Sequence, residues 1–474
     1  MRALNRLLEQ GQLDEAETIA IRLTQERPQH GPAWKFLGVI LKLQGRHGEA
    51  LRAMHRAFQL LPDDDQVQSN LGAALAEAGE LPAAEQLHRR ALDINPRNTQ
   101  THTNLGNVLS LQGRMEEAET CLRRALELQP DFAQGHHNLG SLLHDLGRIA
   151  EARSCYRRAI ELDRNLAQTH WNDSMCQLQA GDFDQGWQQY EWRLQTAHIR
   201  VRRFEQAQWS GQDLQDKTVL LHAEQGLGDT LQFCRYAPLV AARGARVLLQ
   251  APSALKRLLT GLPGVAQLMA EGEVLPAFDY HCPMLSLPLA FGTCLSSIPA
   301  RVPYLTVTSN AADAWRKNLE AMDIPRIGIA WAGNPQHRHD RWRSIALEHF
   351  LDLADGNQTF HCLQKDISVT DLSLLETRAD VYRHALNDFS DTAALIMALD
   401  LVITVDTAVA HLAGALGKPV WLLLPFQADW RWLTQREDSP WYPTMRLFRQ
   451  TVREDWGSVF AAVRQALARR FGKT

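Results

Sequence analysis

A chain of 474 residues, 45% hydrophobic and 22% charged, is too long for one core and predicts two or three globular domains. A net charge of −4 with His neutral gives no basic field for nucleic acid or an anionic membrane. Seven cysteines without a CxxC pair suit reduced thiols, and no apolar run nears the ~20 residues of a membrane span, so a cytoplasmic protein with no nucleic-acid partner and no membrane span is expected.

The opening MRALNRLLEQGQ reads as amphipathic helix rather than signal peptide. From there, residues 1–200 repeat in steps of 34. Gly38, Gly72, Gly106 and Gly140 form one column, and Gly11, Gly45, Gly79, Gly113, Gly147 and Gly181 a second. Ala16, Ala50, Ala84, Ala118 and Ala152 form a third; Pro28, Pro62, Pro96 and Pro130 form a fourth, which Arg164 breaks. The spacing predicts paired antiparallel helices, with small residues where two helices approach closely and Pro just past a helix end, where its missing N–H costs little. These columns resemble the tetratricopeptide repeat. The resemblance implies an all-α superhelix with a concave face, here about five full units after a truncated first.

Asn70, Asn104, Asn138 and Asn172 recur at one position of successive units, with Phe36 in that place earlier. Four such amides could hold the backbone of an extended peptide, or they are an ordinary preference of the helix surface. The stretch HTNLGNVLSLQGRMEEAETCLRRALELQPDFAQ is similar to the repeats of O-GlcNAc transferase, which carry such a ladder. That likeness implies a groove for an acceptor protein or peptide. The last unit, GDFDQGWQQYEWRL at 181–194, gains Trp187, Tyr190 and Trp192 and is expected to dock on the next domain, through a linker at 201–216.

After residue 217 the period is lost, and short Val/Ile/Leu runs alternate with helical stretches. Strands are predicted at 217–224, 245–251 and 278–287, then at 326–333, 359–364, 401–406 and 419–425. Such runs predict parallel sheets covered on both faces, here two Rossmann-like lobes at 217–310 and 311–474 with a cleft between them. Ligands in these sheets bind beyond the carboxyl ends of the strands. Two motifs fall there. In GLGD, Gly226 and Gly228 permit a tight approach to a ligand and Asp229 sits near a helix start, where it is either a cap or a functional acid. In ITVDTAVAHLAGALGKP, Asp406 and Thr407 end a buried strand where a small-residue helix begins, with His411 one turn in; the helix N-terminus suits a phosphate or a sugar hydroxyl.

EQGLGDTLQF and VDTAVAHLAGALGKPVW together resemble the GT-B glycosyltransferases of the ADP-heptose:lipopolysaccharide heptosyltransferase group. With HCPMLSLPLAF, GIAWAGNPQHRHDRWRSI, DFSDTAALI and DWRWLTQREDSPWYPTMRLFRQ, the whole chain resembles bacterial tetratricopeptide-repeat glycosyltransferases, some of which modify flagellins. The resemblance implies inverting, metal-independent transfer of a sugar from a nucleotide-activated donor, with no cofactor beyond that co-substrate. Asp229 is the candidate catalytic base. Gly226, Gly228, Asn334, Arg343, Ser344, Gln364, Lys365, Asp406, Thr407 and His411 are the candidate donor-binding residues. The family's phosphate-binding lysine has no direct counterpart, and Arg341, Arg343 and Lys365 stand in for it; Arg343 is favoured because RSI reads as a helix start. No metal site is expected: Asp63-Asp64-Asp65 reads as a repeat turn, and HRHD at 337–340 as a loop over the donor. A final helix is expected to cross back and brace the first lobe. The alternatives are an enzyme directed to a glycan or lipid-linked saccharide, and a scaffold without catalysis.

Overall fold

A computed structural model describes residues 1–196, 199, 202–319, 324–336 and 340–472. His337, Arg338 and His339 of the HRHD stretch and residue 201 of the linker lie outside the described residues. The chain divides into two compact units, Met1–Thr169 and His170–Thr474.

The first unit is an array of antiparallel helix pairs: α1 (Arg2–Glu9) with α2 (Leu13–Glu26), α3 (Gly31–Leu43) with α4 (His47–Leu60), α5 (Asp65–Glu77) with α6 (Leu81–Ile94), α7 (Thr99–Leu111) with α8 (Met115–Leu128), and α9 (Ala133–Asp145) with α10 (Ile149–Leu162). A sixth pair, α11 (Ala167–Gln179) and α12 (Phe183–Tyr190), starts at the boundary between the two units, with α12 wholly in the second. The two glycine columns do different work. Gly11, Gly45, Gly79, Gly113, Gly147 and Gly181 lie between the helices of each pair at φ of 71–86°, the left-handed conformation of a tight turn. The other column enforces contact: a Cβ on Gly38, Gly72, Gly106 or Gly140 would lie 2.7–2.9 Å from Met54, His88, Leu122 or Tyr156 on the partner helix.

A further column ties each unit to the one before it. The side chains of Trp34, Gln68, His102 and His136 donate to the carbonyls of Pro28, Pro62, Pro96 and Pro130, six residues earlier, at 3.0, 2.6, 3.0 and 2.8 Å. A carbonyl just past a helix end has no intrahelical donor, and this side chain supplies one. The acid run is also local structure: Asp64 caps α5 through the Val67 N–H at 2.9 Å, and Asp65 accepts from Asn95 and Asn98.

The second unit holds two parallel sheets in a GT-B-like arrangement. In the first, β1 (Ala207–Gln208), β2 (Thr218–His222), β3 (Arg246–Ala251), β4 (Val265–Ala270) and β5 (Tyr280–Pro283) run in the order β1-β5-β2-β3-β4. In the second, β6 (Arg326–Ala330), β7 (Thr359–Cys362), β8 (Val381–Tyr382), β9 (Leu401–Val405), β10 (Val420–Leu424) and β11 (Met445–Arg449) run in the order β11-β10-β9-β6-β7-β8. The strands absent from the sequence reading, β1, β4, β8 and β11, are the four sheet edges. Edge strands are short or polar because one side lacks a partner: β11 carries an exposed residue between buried ones, and β4 has two exposed residues and is buried only at its last two.

One apolar core joins the two lobes and α12. Trp187 of α12 donates Nε1 to the Thr293 carbonyl at 2.8 Å and meets Trp430 edge-on at 5.2 Å, so the aromatic residues of the last repeat are built into the α/β unit. The final helix, Trp456–Phe471, departs from the expectation. Its Val459, Phe460, Val463, Ala466 and Leu467 pack with Ile327, Phe350 and Trp421, so it braces the second lobe and not the first. Its apolar stripe matches the face of the second sheet that it follows directly in the chain.

Candidate functional site

A parallel sheet binds ligands where its strand order reverses, because the connections there leave to opposite sides and open a crevice. In the second sheet that point lies between β9 and β6. The chain leaves β6 through Trp331–Asn334 and β9 through Asp406–Thr407. Thr407 is the N-cap residue of the Ala408–Ala415 helix and makes no side-chain cap bond, which leaves the first N–H groups of that helix without a side-chain acceptor.

Arg343 and Ser344 knit these two loops together. Arg343 Nη1 donates to the Asp406 carbonyl at 3.0 Å and Nε to Asp340 Oδ1 at 3.1 Å. The Ser344 hydroxyl donates to Asp340 Oδ2 at 2.9 Å and accepts from the Gly333 N–H at 3.0 Å. Gly333 leaves room for this pair: a Cβ would lie 2.5 Å from Arg343 Nη2 and 2.6 Å from Asp340 Oδ1, so the two side chains would have to shift. Arg343 does not open a helix, however. It is the last residue of the short Asp340–Arg343 turn of helix, and the next helix starts at Leu347.

The other expected donor residues are placed as follows. Asp406 Oδ2 accepts from Trp432 Nε1 at 2.9 Å, and burial, reinforced by the charge of Asp429, pushes its carboxyl up to about 6. Gln364 faces the protein: its Oε1 accepts from the Trp331 and Ala332 N–H groups at 3.2 and 3.1 Å, fixing the loop after β6. Asn334 closes a turn by accepting from the Gln336 N–H at 3.0 Å, and Lys365 and Arg341 are exposed. His411 is only 5% exposed; its Nδ1 lies 2.9 Å from the Tyr442 hydroxyl and its ring stacks on Trp432. Burial, with Arg431 and Arg235 nearby, holds the imidazole well below its usual pKa and therefore neutral.

The GLGD turn begins α13 (Leu227–Phe233), which packs directly on the Ala408–Ala415 helix across the lobes. A Cβ on Gly228 would lie 2.8 Å from His411 Cδ2, so this glycine serves helix contact. Gly226 is the N-cap residue, and its N–H donates to Asp229 Oδ2 at 2.8 Å. Asp229 Oδ1 receives Arg431 Nη2. Arg431 is 7% exposed and also donates to Gln232 Oε1 at 2.6 Å and Asp429 Oδ1 at 2.9 Å. Both oxygens of Asp229 are thus engaged in capping α13 and in an ion pair between the lobes. Sequence reasoning missed Arg431, Trp432 and Tyr442, since DWRW and SPWYP carry no spacing that separates an ion-pairing arginine from a packing one.

In the repeats, Asn104 accepts from Gln100 at 2.9 Å and donates to Ser69 at 3.4 Å, and Asn138 accepts from Gln134 at 2.8 Å. Asn70 is half-buried, and Asn172 is buried and belongs to the second unit. The signal for this pairing is in the sequence: Gln66, Gln100, Gln134 and Gln168 precede the four asparagines by one helical turn. Among the described residues no helix is long and apolar enough to cross a membrane, and no three His, Cys, Asp or Glu side chains are grouped to hold a metal ion.

Residues 2–59, 44–99 and 98–165 match the tetratricopeptide repeat, and residues 386–423 match glycosyltransferase family 9 (heptosyltransferase). The latter segment contains β9, Asp406, Thr407 and His411. Protein FlbA of Caulobacter vibrioides (strain ATCC 19089 / CIP 103742 / CB 15) is 29% identical over 311 residues, 59% of this chain and 51% of FlbA. The chain thus spans about half the length of that relative. Among solved structures, Cut9–Hcn1 of the APC/C hetero-tetramer overlaps 41% of this chain and 39% of its own at 20% identity, with a TM-score of 0.38. A thermophilic tetratricopeptide protein of Thermus thermophilus overlaps 38% of this chain and 97% of its own at 25% identity, with a TM-score of 0.34. The chain joins tetratricopeptide repeats to a heptosyltransferase-like segment.

Proposed function

We propose that this chain is a glycosyltransferase of GT-B type that moves a sugar from a nucleotide-activated donor to a hydroxyl of a polypeptide held by the repeats. The observation that carries the reading is the coincidence of the family 9 match with the switch point of the second sheet, where Asp406 and Thr407 stand at a helix N-terminus. In this reading the donor phosphate lies against that N-terminus, and Arg343 meets the charge that develops on it as the nucleotide departs. Charge stabilisation by these groups makes a metal unnecessary. The acceptor hydroxyl attacks the anomeric carbon in a single inverting displacement, and a carboxylate of the first lobe takes its proton, either Asp229 or Glu224 just beyond β2. The repeat asparagines Asn70, Asn104 and Asn138 present amides to the acceptor backbone. The chain then works in the cytoplasm, where nucleotide sugars are made.

Thermal unfolding of the full chain with UDP, GDP, ADP, dTDP and CMP tests this. A nucleotide at 100 times its Kd adds about 2.7 kcal/mol to the stability of the state that binds it. One nucleotide is expected to raise the midpoint, and Arg343→Gln is expected to remove that rise. No rise with any of the five would favour a repeat scaffold without catalysis.

A further inference from the structure

Both sheets of the second unit have a switch point. In the first sheet it lies between β2 and β5, and the chain leaves it through Ala223–Glu224 on one side and Met284–Leu285 on the other. A small cavity opens there, lined among others by Leu194, Arg202, His222, Glu224, His281 and Pro283.

Glu224 is built into its wall. The side chain is 4% exposed; Oε1 accepts from Arg193 Nη2 at 2.8 Å and from the Leu285 N–H at 3.2 Å. Its Oε2 is buried and has no hydrogen-bond partner among the described residues. Arg193, fully buried, also donates to Glu191 at 2.6 Å, to the Ser286 hydroxyl at 2.7 Å and to the Tyr190 carbonyl at 3.2 Å. Two carboxylates therefore share one guanidinium, and one oxygen of Glu224, a residue of the cavity wall, is left without a donor among the described residues. Burial pushes the Glu224 carboxyl up against the pull of Arg193, which makes it the more willing proton acceptor. Across the cavity, burial and His281 push the His222 imidazole down to about 3, so it stays neutral, with Nε2 3.3 Å from His281 Nδ1.

A buried acceptor without a donor calls for one from outside the chain. The donor fits best as a neutral group carried on carbon. Arg202 lines the same cavity and disfavours an ammonium, while Leu194, Ile199, Ala223 and Pro283 suit the carbon that bears a hydroxyl.

We propose that this cavity receives the aliphatic hydroxyl of the acceptor, with Glu224 Oε2 taking its proton. The proposal rests on the glycosyltransfer reading. The O–H bond gives its proton to Oε2, the oxygen's electron pair forms the bond to the anomeric carbon, and the bond from that carbon to the donor phosphate oxygen breaks, its pair leaving on the nucleotide. Arg193 keeps the carboxylate in place by occupying the other oxygen. Asp229, whose two oxygens are both bonded, keeps α13 and Arg431 in register.

The test uses the full chain with whichever nucleotide stabilises it. N-acetylserinamide, N-acetylthreoninamide, N-acetylalaninamide and methyl glucoside are titrated while the imidazole nitrogen resonances of His222 and His281 are followed. The two hydroxyl amides are expected to shift them, the alanine amide to leave them in place, and Glu224→Gln to abolish the response. A response to the glucoside alone would support a hydroxyl site whose source is a saccharide. An equal response to the alanine amide, or none to any probe, overturns the proposal. In turnover, Glu224→Gln should lower transfer by about 10²–10⁴-fold and remove the acid limb of the kcat/KM profile, with nucleotide affinity unchanged. Glu224→Asp, which keeps the pair with Arg193, should fold normally and recover part of the rate. Wild-type transfer by Glu224→Gln with normal nucleotide binding sinks the role of Glu224 and leaves glycosyltransfer standing. If the wild-type chain binds no nucleotide, the transfer reading falls, and the hydroxyl probes still decide what the cavity takes.

Discussion

In the repeats, Arg46, Arg114 and Arg148 each join a glutamate of their own unit to one of the preceding unit, with side chains 37–40% exposed. In the α/β unit, Arg193 and Arg431 sit at 0% and 9% and bind carboxylates that are largely buried. Arg235 goes further, stacked between Tyr304 and Tyr442 with carbonyls and a hydroxyl as its partners. The same residue type thus does two kinds of work. On the repeat surface it adds a small, screened attraction that recurs at three steps and is skipped where Glu80 stands in the column. Inside the α/β unit each charge has lost its hydration, so its partners are fixed and its removal is severe. The contrast teaches where to look for chemistry. Periodic charge holds an array together, whereas charge buried once, at one place, holds a site.

The hardest blow to that contrast is Arg431→Met. It leaves Asp229, Gln232 and Asp429 without their donor, and urea unfolding should show a loss of about 3–5 kcal/mol in the α/β unit. A loss under about 1 kcal/mol would put Arg431 in the same class as the surface arginines.

His88 is the one repeat position where the contrast should fail. It occupies the column that holds Met54, Leu122 and Tyr156 elsewhere, is fully buried, and neither ring nitrogen has a hydrogen-bond partner among the described residues. Burial lowers its pKa from 6.5 to about 4. The unfolded chain therefore binds a proton between those values that the folded chain refuses. Stability is full above about pH 6.5 and falls as pH drops toward 4, by up to roughly 3 kcal/mol. Hydrogen exchange of α5 and α6 should show this slope, and His88→Leu should flatten it.

Gly106→Val tests helix contact alone, since its Cβ would fall 2.8 Å from Leu122 Cγ; a loss of about 1–3 kcal/mol is expected, local to α7 and α8. The smallest effect belongs to His136→Ala, which removes one bond to the Pro130 carbonyl and should cost about 0.5–1.5 kcal/mol by the same exchange measurement.

The repeats were legible because 34-residue spacing repeats the same packing problem, and each column states its answer several times. Central strands were legible too, since β2, β6, β9 and β10 are buried along nearly their whole length and need continuous apolar runs. Edges were not: the two residues of β1 or β8 leave no pattern. At the site, the motifs located Asp406 and Thr407 at a strand end. They could not show that Gly228 touches His411, or that Asp229 meets Arg431, because each pair is separated by well over a hundred residues and depends on how two lobes close on one another. The resemblance supplied Asp229 as a base by position; the hydrogen bonds add that each of its oxygens has a donor, while one oxygen of Glu224 has none among the described residues.

The clasp between a side chain and a proline carbonyl six residues earlier begins and ends within a single turn of chain. It ties the end of one helix pair to the first helix of the next. A duplicated 34-residue block brings one such tie with it, whereas the arginine bridges are less regular, because Glu80 stands in the arginine column and Leu51 and Ala83 in the two glutamate columns. The array is open to change in length in steps of one unit, while the α/β unit keeps its own geometry.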